Sequence, residues 1–445
     1  MANTYLTRTP SSAGSTTKAT FSAWIKRANI STTQRIYYCR YDGSNFLRFS
    51  LRNNGAITIQ VDLSNATDVE KRSNRLLRDT SAWYHVMMVI DLTDSTQEDK
   101  YKIYVNNERI TSWEVNNNTA NSSGSYVGQN NSWLPTIGRH PSNDNYFDGI
   151  MSHVHFTDGY AYSPSDFGET DSTTGQWKIK TSPSVTYGTN GFFILKDGNT
   201  ITDQSSNSNN FSLGGGTLTK TEDCPSNVFA TYNPLCVQVG NANEPIFGNG
   251  NTSILGSSSG AIKFHAPSTL GASSGKWYVE FKGLSSSNEN GSIGVTYDPS
   301  EDARNDKYPG AASYSWGYYV NGNYYNNDNA SSYGNAWNTD IIGVALDLDN
   351  SKLYFSKNGT WQNSGDPTSG STGTGAISIT ADKEYFFATG DGNTTYINPF
   401  DANFGNGYFG TTAVSSAGTN ASGNGIFEYD VPSGYTALST KGLNL

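Results

Sequence analysis

The chain has 445 residues, among them 46 Gly, 28 Tyr, 20 Phe and 9 Trp, and only 15% of it is charged. That length holds about two to three domains, and the Gly-rich, aromatic-rich composition favours strands and tight turns over helices. A formal net charge of −10 at pH 7 offers no basic footprint for nucleic acid, and no segment is apolar for long enough to cross a bilayer.

In chain order, the start Met1 to Tyr5 lacks the basic and apolar regions of an export signal, so the protein is expected to be made in a cytoplasm. Asn-x-Ser/Thr triplets at Asn29, Asn65 and Asn121 then reflect composition, not glycan acceptors. Strands are predicted at Tyr5 to Thr9 and Thr20 to Arg27, where Phe21, Ala23 and Ile25 oppose Ser22, Trp24 and Lys26. Further strands follow at Arg35 to Arg40, Phe46 to Leu51, Ala56 to Val61, His85 to Asp91, Tyr101 to Asn106, Thr136 to Arg139, Gly149 to Thr157 and Gly191 to Lys196. Between Thr200 and Lys220 the chain turns to Asp, Ser, Asn and Gly, with Asn210, Phe211 and Leu213 suggesting a last edge strand. The second half is read as strands at Ala261 to His265, Trp277 to Lys282, Gly291 to Tyr297, Tyr314 to Val320, Ile341 to Leu348, Lys352 to Lys357, Ala376 to Ile379, Tyr385 to Thr389 and Gly425 to Glu428. Strand-sized runs at this spacing, without crossover helices, predict an all-β protein of two antiparallel jelly-roll sandwiches in tandem. The domains are residues 1–220 and 261–445, with a linker and opening strand over 221–260.

One pattern occurs in both halves. His85, Val89, Ile90 and Asp91 lead to Lys102, Tyr104, Val105, Asn106 and Asn107, while Ile341, Val344, Leu346, Asp347 and Asp349 lead to Lys352, Tyr354, Phe355, Asn358 and Gly359. Alternating apolar residues ending on Asn-Asn or Asn-Gly predict hairpins, because these residues tolerate positive φ cheaply.

Five blocks in the first half resemble a laminin G-like, concanavalin A-type domain: Phe21 to Arg27, Trp83 to Val86, Tyr104 to Asn107, Ile137 to Arg139 and Tyr146 to Ile150. In the second half Gly275 to Glu280, Gly343 to Asp349, Leu353 to Gly359 and Val431 to Tyr435 resemble a SPRY domain. The two joined around Asp223, Pro225, Asn227, Phe229 and Asn233 to Leu235 are similar to structural proteins of tailed marine phages and other aquatic viruses. That resemblance implies a virion appendage or fibre-type protein.

No catalytic constellation is legible. Concanavalin-type glycoside hydrolases need two carboxylates flanking the bond, about 5 Å apart for retention. Their Glu-x-Asp-x-x-Glu strand is absent. Glu169 and Asp171 follow a loop and lack a third acid, while Asp347 and Asp349 are explained as a strand end and its turn. The chain is therefore read as no enzyme, a glycan-degrading hydrolase being the disfavoured alternative. His153 and His155 share a strand face and could hold a metal with His140, although a solvated outer face is the simpler reading. Cys224 and Cys236 could pair, but free thiols in a reducing compartment are favoured.

Laminin G-like domains often hold calcium in rim loops, which makes Asn143, Asp144, Asn145 and Asp148 candidate ligands, with Asp298, Glu301, Asp302 and Asp306 a second acidic loop. Ordinary solvated turns are the competing account, so calcium is an option and no other cofactor is expected. The richest candidate surface is Trp316, Tyr318, Tyr319, Tyr324, Tyr325, Tyr333 and Trp337, with residues 321–328 read as a loop tip. Aromatic faces grip sugars and proteins with large area and little rotamer entropy. Trp316 and Tyr318 alternate on one strand and could equally be core.

The expected function is non-enzymatic: a virion protein that presents binding loops to a host-surface glycan or receptor. A capsid decoration or tail component touching only other virion proteins is the alternative. A homo-oligomer, a trimer among the options, is expected from exposed sheet edges.

Overall fold

The computed structural model describes residues 3–63, 66–118, 133–141, 144–196, 200–236, 245–255, 263–285, 290–304, 307–392 and 397–444. The chain divides into two compact units, Met1–Lys220 and Thr221–Leu445. Both are β-sandwiches, and the one α-helix among the described residues is the short Pro299–Arg304.

In the first unit an eight-stranded sheet runs in the order Trp113–Asn117, Ala66–Leu76, Ala56–Leu63, Phe46–Leu51, Gln34–Arg40, Leu134–Ile137, Tyr5–Thr7 and Ser212–Gly215. A six-stranded sheet runs Phe192–Ile194, Gly149–Asp158, Lys18–Arg27, Trp83–Asp91, Tyr101–Val105 and Glu108–Arg109. Every pairing between these strands is antiparallel. Period-two alternation sends Phe21, Ala23 and Ile25 of one sheet against Leu47, Phe49, Ile59 and Val61 of the other. The Phe21 ring lies 5.0 Å from Tyr37 and 6.0 Å from Phe49, and burying one such side chain is worth about 2–3 kcal/mol.

The alternate residues Ser22, Trp24 and Lys26 are also buried. They are covered because residues 160–191 fold back over the six-stranded sheet, seating Phe167 on Met87 and Val89. The expected solvated face of His153 and His155 is therefore corrected. His153 sits at a bulge with φ 47°, His155 stacks on Phe193 at 3.9 Å, and both are buried. His140 lies beyond the Leu134–Ile137 strand, bridged to Asp144 and against Tyr38 of the eight-stranded sheet, so the three histidines do not converge.

In the second unit one sheet follows the path Ile246–Gly248, Ser253–Leu255, Phe400–Asn403, Lys276–Gly283, Ile341–Asp347, Lys352–Lys357 and Thr360–Trp361. Ile377–Ser378 pairs with Lys352–Lys357, and Thr436–Ala437 pairs in parallel with Lys276–Gly283. The facing six-stranded sheet runs Phe264–Pro267, Phe386–Asp391, Gly291–Thr296, Ser315–Tyr319, Asn323–Asn326 and Asn329–Ser332. The stretch read as a linker is part of this unit: Tyr232 is fully buried among its core residues, and Ser253–Leu255 pairs with Phe400–Asn403. Residues 261 and 262 lie outside the described residues. No strand forms at Gly425 to Glu428, which makes a single bridge from Ile426 to Asn406.

The repeated pattern has one geometry in both units. Asn106 and Asn107 (φ 49° and 71°) join Val105 to Glu108, and Asn358 and Gly359 (φ 48° and 78°) join Lys357 to Thr360. The side-chain oxygen of Asn106 accepts the His85 backbone N–H at 2.8 Å, and that of Asn358 accepts the Ile341 N–H at 2.9 Å. Each Asn backbone N–H returns the bond to the carbonyl of the same residue.

Candidate functional site

The segment read as a loop tip is a hairpin. Asn323–Asn326 pairs with Asn329–Ser332 around Asn327 and Asp328, whose φ angles of 54° and 58° suit a tight two-residue turn. The side-chain amide of Asn326 ties the hairpin to the preceding loop by donating to the carbonyls of Ala312, Ser313 and Ser315. Asn327 and Asp328 add backbone bonds to the Ala312 and Gly310 carbonyls.

This anchoring sets up a row of half-buried tyrosines on the outer face of the six-stranded sheet. Trp316 and Tyr318 point inward, so Tyr319 points out, where its ring lies 4.9 Å from Tyr325 and 5.9 Å from Tyr308. The Tyr308 hydroxyl donates to Asp328 at 2.8 Å, and the Tyr319 hydroxyl donates to Asn290 at 2.7 Å. Burial pushes both phenols up from their ordinary range, so they remain neutral donors. Asn321 donates to the Tyr325 hydroxyl at 3.1 Å, which leaves that oxygen's own proton available. Three ring faces with directional amide, carboxylate and hydroxyl groups at their edges can hold a sugar ring or a peptide.

Four of the residues assigned to this surface from sequence belong to the core. Trp316, Tyr318, Tyr333 and Trp337 are between 0% and 6% exposed. Tyr318 stacks on Phe355 at 5.2 Å, Trp316 meets Tyr385 at 6.0 Å, Trp337 lies 6.5 Å from Phe400, and the Tyr333 hydroxyl accepts the Phe355 N–H. Tyr324 is half-buried and leans on the core beside Tyr333. Tyr325 is half-buried outside the core, Tyr319 is half-buried with part of its ring against the core, and Tyr308 joins them from a loop whose spacing gave no signal.

Near the expected calcium turn, Asp144 faces His140 at 3.1 Å, and the Asn145 carbonyl accepts the Arg35 N–H. Burial pushes the Asp148 carboxyl up, and its backbone carbonyl accepts the Ala28 N–H. Asn143, Asp306 and the side chain of Asp302 lie outside the described residues. Among the described residues no group of three or more His, Cys, Asp or Glu is placed to hold a metal ion. Cys224 and Cys236 are not disulfide-bonded.

Other acids serve the scaffold. Glu169 and Asp171 share Lys178, at 3.2 and 3.3 Å. Asp347 is fully buried against Lys276 at 3.1 Å, and Asp349 accepts the Gly275 N–H. Ser22 and His85 form a Ser–His contact of 2.8 Å, but His85 Nδ1 accepts the Trp177 indole N–H at 3.1 Å where a triad would place an acid. Burial pulls His85 down to about 3, so it is a poor base at neutral pH.

Residues 2–166 match the Concanavalin A-like lectin/glucanases superfamily in its laminin G-type form, and residues 276–376 match the SPRY domain. A comparison with curated proteins finds no match. Similar solved structures include the SPRY domain of human HERC1, at 16% identity over 38% of this chain and 96% of that one, with a TM-score of 0.27. A Bacteroides ovatus protein whose name describes it as carbohydrate binding shares 18% identity over 48% of this chain and 57% of its own, with a TM-score of 0.32. A heptameric SAP-like pentraxin from Limulus polyphemus shares 15% over 36% and 71%, with a TM-score of 0.28. The first unit thus contains a laminin G-like, concanavalin-type domain, and the second contains a SPRY domain, both of them jelly-roll sandwiches.

Proposed function

We propose that the protein is a non-enzymatic binding protein that holds a glycan on the tyrosine face of its SPRY domain. The observation that carries this reading is the Tyr308, Tyr319 and Tyr325 row, half-buried and clamped by the Asn323–Ser332 hairpin. Rings fixed before binding lose little entropy when a sugar stacks on them. A concanavalin-type, lectin-like fold in the first unit is consistent with a binding role. The test is a glycan array probed with the wild type and with Tyr319→Ala/Tyr325→Ala. The expected outcome is binding that weakens roughly tenfold, about 1.4 kcal/mol, with little change in Tm. A variant that binds as the wild type does would remove the site.

The setting we propose is a virus particle, as an appendage or fibre-type protein that presents this face to a host-surface glycan or receptor. Support comes from the order of the two domains around Asp223 to Leu235. A second reading, a component that touches only other virion proteins, draws on the Asn329–Ser332 edge strand, which is exposed along its whole length and open to further pairing. Binding of purified protein to intact host cells supports the first, and binding only to virions supports the second.

A further inference from the structure

The outer face of the eight-stranded sheet carries hydrogen-bond donors that the fold does not use. Arg35, Arg40, Arg48 and Arg52 point away from the core, because Tyr37, Cys39, Leu47 and Leu51 beside them point into it. In the same unit Arg72, Arg75 and Arg109 are matched to Glu or Asp. Among the described residues, these four arginines form no ion pair, and Arg48 spends one donor on the Gln60 side-chain oxygen.

Arg35 is 6% exposed, and its Nε and Nη1 have no hydrogen-bond partner. Ser50, Thr58 and Arg72 follow it in register across the sheet. The hydroxyls of Ser50 and Thr58 are buried without partners, as is Arg72 Nε. The unused donors are on Arg35, Ser50, Thr58 and Arg72 Nε, and the row itself contains no acid, although its Arg72 end is paired with Glu70 and Glu114. Each buried donor left unsatisfied costs about 1–3 kcal/mol, a cost that an acceptor-rich anion along the row would remove.

Charge points the same way. Burial and the neighbouring Arg48 and Arg52 pull the Arg35 guanidinium down to about 10, opposed by Tyr38 and Asp144. The acids nearby are engaged: Glu70 by Arg72, Asp144 by His140, and Asp62 by the Gln60 amide at 2.8 Å. Apolar rings flank the cations. Tyr38 stacks on Phe46 at 5.4 Å with the Arg48 guanidinium 5.3 Å from the Phe46 ring, and Tyr41, 58% exposed, meets Trp133 at 5.7 Å. Guanidinium groups beside aromatic faces suit a sugar that bears a negative group.

We propose that this face binds the carboxylate or sulfate groups of an acidic polysaccharide, with half-buried Arg48 and Arg52 as the first contacts and Arg35, Ser50 and Thr58 as the floor beneath. It is a second site, on different residues from the tyrosine hairpin, and it stands or falls independently of that one.

The test is isothermal titration of the full chain with polygalacturonate, dextran sulfate and uncharged dextran. Variants are Arg48→Ala/Arg52→Ala, Tyr319→Ala/Tyr325→Ala and, as a milder change beyond a strand end, Arg52→Glu. The expected result is binding of at least one acidic polymer and none of dextran, weakening as salt rises from about 50 to 300 mM. Affinity should fall tenfold or more in both arginine variants at unchanged Tm, and stay unchanged in the tyrosine variant. Which polymer binds identifies carboxylate or sulfate as the group read. Failure of both acidic polymers to bind, or arginine variants that bind as the wild type does, would overturn the proposal.

Discussion

Asn106 and Asn358 perform the same two tasks in the two units. Each holds a left-handed conformation, and each turns its side-chain oxygen back to cap the strand that began one hairpin earlier. Alanine at either position loses the cap and strains the turn, at an expected cost of about 1–2 kcal/mol to its own unit, whereas glycine keeps the turn and costs less. Urea unfolding of the full chain checks both. Glu280 is the opposite kind of residue, since nothing near it in sequence announces its role. Its Oε1 accepts the Tyr278 hydroxyl and the Tyr429 N–H, and its Oε2 accepts the Asn403 amide and the Glu428 N–H, the last from 148 residues away. Glu280→Gln would turn an NH2 toward two donors that the ionised carboxylate accepts, so stability is expected to drop by about 1–3 kcal/mol at pH 8, where Glu280 is ionised, against a near-neutral effect for Glu169→Gln on the exposed hairpin. The Asn turns were legible because positive φ selects few residue types. The Glu280 contacts were not, because they are made only after distant segments pack.

At the scale of elements, both units close the same ladder pair with a charge. Lys18 stands opposite Asp91 at 2.9 Å, and Lys276 stands opposite Asp347 at 3.1 Å. Asp347 is fully buried, whereas the Asp91 side chain keeps 17% exposure. Asp347→Asn is therefore expected to cost about 2–3 kcal/mol, and Asp91→Asn less than about 1 kcal/mol, in chemical denaturation. Strands were readable wherever an apolar face alternated, as in Phe21, Ala23 and Ile25. The Ala66–Leu76 strand escaped because most of its residues are polar or charged, and Asn329–Ser332 escaped because all its side chains face solvent. The same blindness displaced the candidate site: alternation puts Trp316 and Tyr318 on one face, but does not tell which face is core. Packing decided for the core, and left Tyr319 and Tyr325 outside.

At the scale of the molecule, buried ionisable groups give the two units different responses to pH. In the first unit burial holds His85 at about 3 and His155 well below its ordinary 6.5. Both fold neutral, so the stability they contribute is complete above pH 6.5 and is lost as pH falls toward the folded values. In the second unit His265, also held at about 3, behaves likewise, but burial raises Glu280 from 4.5 to about 7. Its contribution is complete below pH 4.5 and is lost as pH rises toward 7. Between pH 7 and 5 the first unit should lose stability while the opposing groups leave the second nearly level. Differential scanning calorimetry at the two pH values reads this, with Asn106→Ala and Asn358→Ala assigning each transition to its unit. A second unit that falls as steeply as the first would contradict it.

The central claim is that a clamped tyrosine face on the SPRY domain grips a glycan. Hydrogen–deuterium exchange on the full chain, with and without the best array ligand, tests it most directly. Slowed exchange confined to the strands and hairpin of residues 308–332 is the expected footprint. Protection that falls elsewhere and leaves that hairpin unchanged would contradict the claim.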